Sequence, residues 1–299
     1  MISLQDADEN VLYHYCDGNA FQNIVEKQQL WLSSLALSND SMEGKLSESR
    51  LDSVIKAQAL SPDISNRLLE MWRMFNSIFE VCGTCLSSEG DLLSQWRGYA
   101  NNGAGFSIGF KEQLLRKLPV PLSADEKLGP LPGDIRPTEL HEVLYKHEEQ
   151  LGLMRELYDQ MSQHLASYKD EKLTYSLIDT SSLKAEIFAI DAQSKVGDTM
   201  SAWIGRAFSI KGEAFAEEKE TRIVNVAPRF SRAFYYRARS NTLVPYLKQP
   251  LMLPGQPSPI AEVILGPLNR TPVPVIQAFL AANGLDGVTV SQSLATYQG

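Results

Sequence analysis

The chain predicts an α+β fold, a split mixed β-sheet carrying a helical insertion. Strand-like and helix-like segments alternate without the strand–helix–strand rhythm of a doubly wound parallel sheet. Apolar runs of β type gather toward both ends and bracket a helical stretch at 137–204. No internal repeat or low-complexity tract breaks the pattern. With 299 residues the chain reads as one domain, 1–299, with the insertion at 137–204 inside it.

Each element has a local reason. Strands are expected at 11–16, 30–34, 80–87 and 104–110, the last alternating as Gly105-Phe106-Ser107-Ile108-Gly109-Phe110. Between the first two, Asp17, Gly18 and Asn19 supply turn chemistry, with Asp17 or Asn19 capping a short helix. Helices are expected at 46–60 and 63–78, separated by Ser61-Pro62-Asp63. Another short helix, Asp91 to Ala100, places Leu92, Leu93, Trp96 and Tyr99 at helical spacing. Residues 117–138 hold Pro119, Pro121, Pro130, Pro132 and Pro137 and read as a loop. A long helix follows from about Pro137 to Lys169. Its heptad-like stripe of Leu151, Met154, Tyr158, Met161, Leu165 and Tyr168 either packs on the body or meets a partner. A further helix covers roughly 181–203. Strands return at 207–211, 219–227 and 260–265. A helix at about 272–282 stops at Asn283-Gly284, and a strand at 286–291 follows.

Composition narrows the function classes. Apolar residues make up 43% and charged residues 21%, an ordinary globular balance. The net charge of −8 argues against broad electrostatic binding of nucleic acid, although Arg232, Arg237 and Arg239 offer a local basic patch. No run of 18 apolar residues occurs and the opening segment is acidic, so a cytoplasmic chain without membrane contact is expected. Three cysteines fit a reducing compartment. Cys82-Gly83-Thr84-Cys85 lies inside a β-like run with only Cys16 and His14 as further ligands, so structural thiols are expected there and no metal. No phosphate-binding glycine loop, HExxH or nucleophile elbow is present.

The residues that stand out are polar groups in apolar settings. His14, within Leu12-Tyr13-His14-Tyr15, needs a backbone carbonyl or a ligand, because an unpartnered buried imidazole is costly. Trp96 and Tyr99 form either a core stripe or an aromatic wall. Glu218, Glu220 and Arg222 share one face of a strand, which is either a solvated edge or a cleft. Asn39, Asp40 and Glu43 either cap a helix or touch substrate. Arg237, with Tyr236 and Arg239, either binds a phosphate through a guanidinium fork or is solvated.

Two resemblances attach to these residues. The marks Leu12-Tyr13-His14-Tyr15, Trp31-Leu32-Ser33, Asn39-Asp40 with Glu43, Cys85-Leu86-Ser87, Trp96 with Tyr99-Ala100, Gly105, and Glu218 with Glu220 and Arg222 resemble an uncharacterised bacterial family. More loosely, the order His14, Tyr99, Glu220 resembles ADP-ribosyltransferases with a His-Tyr-Glu triad. Tyr15 and Cys16 stand where those enzymes carry a small residue and a threonine. The looser resemblance implies the split-sheet core and NAD as substrate. His14 would then donate a hydrogen bond to a ribose hydroxyl, with Tyr99, or Trp96 one turn earlier, stacking on the pyridinium beside Ser87. Glu220 would be the transfer glutamate and Glu218 its helper, the reverse assignment also remaining open.

The expected function is therefore an NAD-dependent mono-ADP-ribosyltransferase of toxin or phage-defence type. Its acceptor would be a nucleic acid, favoured over protein, with an antitoxin or other partner protein also expected. Asn39, Asp40, Arg222 and Arg237 would contact substrate. A non-catalytic sensor or interaction module of the same fold, and an NAD glycohydrolase, are the alternatives. Glu220→Gln is expected to leave folding almost unchanged, by relieving repulsion with Glu218.

Overall fold

The computed structural model describes residues 10–38, 44–58, 62–121, 138–166, 198–200, 202–252 and 255–297. Their architecture is α+β, with helices against a ten-stranded mixed sheet. The expected helix at 181–203 falls largely outside the described residues, as do Asn39, Asp40 and Glu43.

The chain opens with β1 (Val11–Cys16), α1 (Gly18–Lys27) and β2 (Gln29–Ser34). Of the two cap candidates, Asp17 is the one used: its carboxylate accepts from the Ala20 amide at 2.8 Å. Phe21, Ile24 and Val25 recur at helical spacing and bury one face of α1. Next come α2 (Lys45–Ala57), α3 (Pro62–Ile78) and β3 (Phe79–Ser87). α4 (Leu93–Tyr99), β4 (Phe106–Lys111) and α5 (Glu112–Leu115) follow.

The expected long helix from Pro137 is shorter than its pattern. Its first residues instead form β5 (Glu139–Glu142), and α6 begins at His147 and runs to Ala166. The free edge of β6 (Glu220–Pro228) captures 139–142 as an antiparallel partner, so sheet pairing overrides helix propensity. The expected strand at 207–211 is corrected too. Residues 202–207 are helical, and only Ile210 makes a bridge, to Leu144.

Two strands carried no sequence expectation. β7 (Tyr235–Arg239) and β8 (Thr242–Pro250) form a hairpin about Ser240, whose φ of 49° is left-handed. Charges on β7 and Pro245 within β8 mask the β pattern. The chain then passes through β9 (Ile260–Leu265), α7 (Val273–Ala282) and β10 (Thr289–Gln292).

Strand order along the sheet is β10-β9-β4-β1-β3-β2-β8-β7, with β6 on β3 and β5 on β6. One core packs α1 and α7 against the sheet through Phe21, Phe106, Ile108, Val263 and Leu280. On the other side, α2, α3 and α6 share a core of Leu51, Ile55, Trp72, Met154 and Leu157. Leu151, Met154, Tyr158 and Met161 of the α6 stripe are thus packed on the body of the protein, while Leu165 and Tyr168 lie outside the described side chains. β6 joins the two layers by alternation: Ile223 and Ala227 enter the first core, while Val224 and Val226 meet Ile204 and Phe208 on the other side.

The approach to β4 requires a glycine. A Cβ on Gly105 would lie 2.2 Å from the Cys16 carbonyl oxygen and 2.9 Å from that of Ala100, and backbone cannot step aside. Gly98, inside α4, has nothing within 4 Å of its Cβ position. Gly105→Ala is therefore expected to lower stability by about 2–3 kcal/mol. Gly98→Ala should raise it by about 0.5–1 kcal/mol. Urea unfolding of the two variants beside the wild type checks both signs.

Candidate functional site in the rift between β1 and β2

The site follows from how β3 spends its two edges. All nine residues of β3 pair with β6 on one side. On the other side Cys82 and Gly83 pair with β2, while Ser87 alone pairs with β1. β1 and β2 therefore diverge, and residues 84–86 make no ladder pair on that edge. A carbonyl left there needs a donor. His14 supplies it: its Nδ1 lies 3.0 Å from the Cys85 oxygen, with Thr84 Oγ1 at 3.5 Å.

That bond defines the imidazole. A carbonyl only accepts, so Nδ1 carries the proton and Nε2 of the neutral ring is an acceptor. Desolvation lowers the His14 pKa, against the bond to Cys85, so the ring stays neutral near pH 7. The expected donation from His14 to a ribose hydroxyl is thereby corrected: toward a ligand, the neutral ring can only accept.

α4 presents Tyr99 and is moored at its start. Asp91 accepts from Trp96 Nε1 at 2.6 Å, from Ser293 Oγ at 2.5 Å and from the Leu294 amide at 2.7 Å. The Tyr15 hydroxyl accepts from the Leu92 amide and donates to the Glu89 carbonyl. Trp96 is fully buried, edge-on to Tyr15 at 4.9 Å, so it belongs to the packing under α4 and not to the wall of the rift. Tyr99 is 42% exposed and its hydroxyl donates to Glu218 Oε1 at 3.2 Å. Burial and the Glu218 charge push the phenol pKa up, against the pull of Lys211, and keep it a donor.

The carboxylates sit where a turn enters β6. Glu213–Glu218 form a 3₁₀ turn, and Lys219, in the left-handed region at φ 44°, ends it. Glu220 Oε1 accepts from Arg222 Nε at 2.6 Å, and Oε2 faces Lys211 Nζ at 3.1 Å. Lys211 also meets Glu218 Oε2 at 2.6 Å. Arg222, fully buried, donates from Nη1 to the Phe208 carbonyl at 2.6 Å. Desolvation pushes the Glu220 pKa up. Arg222, Lys211 and the Cys85 thiol outweigh it and hold the carboxyl below its usual range. Lys211 is likewise lowered by burial but raised overall by Glu220 and Glu218.

Lys211 was absent from the expected site, and one lysine in an apolar segment gives no sequence signal. Its presence overturns the expectation that Glu220→Gln would chiefly relieve repulsion. The substitution would strand the Arg222 charge in the interior. Arg222 itself is sealed away from any substrate. Ser87 is buried and braces the turn, donating to the Glu218 carbonyl and accepting from the Glu89 amide. Cys82 is buried and Cys85 exposed, three residues apart on a strand and therefore on opposite faces.

Two cavities meet these groups. A small one of about 40 Å³ is lined by His14, Tyr15, Cys85, Leu86, Gln95, Tyr99, Glu218 and Glu220. A larger one of about 460 Å³ shares His14, Cys85 and Tyr99 with it and extends past Trp31 and Ser33 to Arg237 and Arg239. His14, Tyr99, Glu218 and Glu220, far apart in sequence, thus converge on one rift, with Arg237 at its far end. No helix among the described residues is long and apolar enough to cross a membrane. Nor do these residues hold a cluster of His, Cys, Asp and Glu suited to a metal ion.

No curated protein and no solved structure matches the chain. Residues 95–223, which contain Tyr99, Lys211, Glu218, Glu220 and Arg222, match the model of a family described as a protein of unknown function (DUF2971), in line with the uncharacterised family that the sequence marks resemble.

Proposed function

We propose that the protein is an NAD-dependent mono-ADP-ribosyltransferase acting through this rift. The convergence of His14, Tyr99 and the two glutamates on one small cavity carries the reading. The roles follow from the hydrogen bonds. Nε2 of neutral His14 accepts from a ribose hydroxyl and sets the register of the dinucleotide. The exposed ring of Tyr99 offers its face to the cationic pyridinium. Glu218, oriented by Tyr99 and Lys211, is the carboxylate nearer the surface and stabilises the positive charge that grows on the ribose. The glycosidic bond breaks with its electron pair leaving on nicotinamide. The acceptor then bonds to the same ribose carbon and gives up its proton to water. Glu220, ion-paired on both oxygens, holds Lys211 and Arg222 in place.

Those same ion pairs favour a second reading, a nucleotide-binding module without catalysis. Two carboxylates facing one lysine and one arginine make a cluster that is neutral overall.

Labelled NAD incubated with the purified chain, and with cell lysate or nucleic acid as acceptor, separates the readings. Nicotinamide release with a labelled macromolecule supports transfer. Release into water alone indicates glycohydrolysis. Release from neither wild type nor variant leaves the binding module. Glu218→Gln is expected to slow release by about 10²–10³-fold with little change in melting temperature. Glu220→Gln is expected to cost about 3 kcal/mol of stability, because Arg222 loses its counter-charge in the interior. Equal activity of Glu218→Gln and wild type would defeat the assignment.

The state of His14 gives an independent check. Its folded pKa lies below the unfolded value of about 6.5, so below that pH the unfolded chain binds more protons. Its contribution to stability is complete above about pH 6.5 and falls by at most about 1.4 kcal/mol per unit of acidification. Urea unfolding at several pH values should show this slope in the wild type and a shallower one in His14→Gln, the other histidines being common to both.

A further inference from the structure

The small cavity has a polar wall residue to which neither the packing nor the transfer step gives a task. Gln95 lies on α4 one turn before Tyr99, and residues four apart on a helix share a face. Tyr99 is 42% exposed, whereas Gln95 is 8% exposed and lies deeper. Such a depth favours an apolar side chain, as at the neighbouring Trp96. A buried carboxamide normally finds partners in the protein, because removing it from water without them is costly.

The side chain of Gln95 makes no hydrogen bond to another described residue. Its oxygen and nitrogen are not sealed either: both retain accessible surface, which opens on the cavity. The polar groups around it are engaged elsewhere. The Tyr15 hydroxyl is held by the Glu89 carbonyl and the Leu92 amide, the Tyr99 hydroxyl by Glu218, and both glutamates by Lys211. Gln95 thus keeps two N–H donors and a carbonyl acceptor for whatever enters.

We propose that Gln95 is the specificity-determining residue of the rift, a contact that selects a neutral primary carboxamide. A second carboxamide matches it best, since each then donates an N–H to the oxygen of the other. A carboxylate only accepts. It would leave Gln95 Oε1 without a donor and bring a further negative charge beside Glu218 and Glu220. The space, about 40 Å³, is on the scale of a carboxamide and not of a whole nucleotide. The larger cavity, which shares His14, Cys85 and Tyr99 with it, has room for the rest of the ligand. With NAD in the rift, the group selected is the carboxamide of nicotinamide, its ring against Tyr99. The inference rests on NAD being the ligand and not on transfer taking place.

Ligand-observed NMR titration with nicotinamide, nicotinic acid and 3-acetylpyridine tests it without turnover. All share the ring. Nicotinic acid exchanges the carboxamide for a carboxylate, and 3-acetylpyridine keeps the carbonyl and loses the N–H donors. The wild type should bind nicotinamide about tenfold or more tightly than either. Gln95→Met keeps the length of the side chain and removes its hydrogen bonding, so this preference should disappear. Its melting temperature without ligand should equal or exceed that of the wild type, because an apolar side chain suits a buried position better than a carboxamide without a protein partner. A residue kept for stability would shift it downward. The proposal is overturned if the wild type binds none of the ligands or binds them alike, or if folded Gln95→Met keeps the preference. It is equally overturned if that variant melts well below the wild type or fails to fold. Selective binding of nicotinamide without its release from NAD would count against the transferase and leave this contact standing. Release from NAD with no preference among the ligands would keep transfer and remove Gln95 from it.

Discussion

A strand inside a sheet must satisfy the hydrogen-bonding groups on both its edges, and β3 meets that requirement unevenly. One edge is consumed by β6 along its full length, while the other is divided between two strands that approach from opposite ends and part. The rift, its depth and the residues that reach it follow from this division. The imidazole of His14 substitutes for a missing backbone donor at the point of separation. Structural and functional demands then act on the same ring: Nδ1 donates to the sheet whatever the charge, while burial keeps the ring neutral and so leaves Nε2 able to receive a hydroxyl.

The charged cluster opposite obeys a different logic. Arg222 is buried completely, so the fold depends on Glu220 whatever chemistry takes place. A sealed carboxylate held by two cations is poorly placed to react, which transfers attention to Glu218, which is less buried and faces one cation, Lys211, and the neutral hydroxyl of Tyr99. The two glutamates look interchangeable in a Glu-x-Glu-x-Arg string. Their environments divide them into an anchor and a reactive candidate.

The strand positions near the front of the chain, the helix that presents Tyr99 and the pairing of His14 with a β-type setting were legible because each carries a local periodicity or a cap. β5 was not, since Glu139–Glu142 takes strand form only through the exposed edge of β6. The β7–β8 hairpin was hidden by arginines and a proline that fit an outer strand but not a generic one. Lys211 could not be anticipated at all: its importance lies in meeting Glu218 and Glu220, and no spacing rule encodes that meeting. Trp96 misled for the opposite reason, because an aromatic at helical spacing is equally suited to a wall and to a core.

The mooring of α4 has a consequence in time. Asp91 fastens the start of the helix to Ser293 and Leu294, residues synthesised 202 and 203 positions later. While the chain is still emerging from the ribosome, the sheet strands flanking His14 can pair, but Asp91 lacks the partners that hold Tyr99 at its station. The aromatic wall of the rift is therefore completed only once Ser293 and Leu294 have been made, so a nascent chain cannot present the assembled site before then.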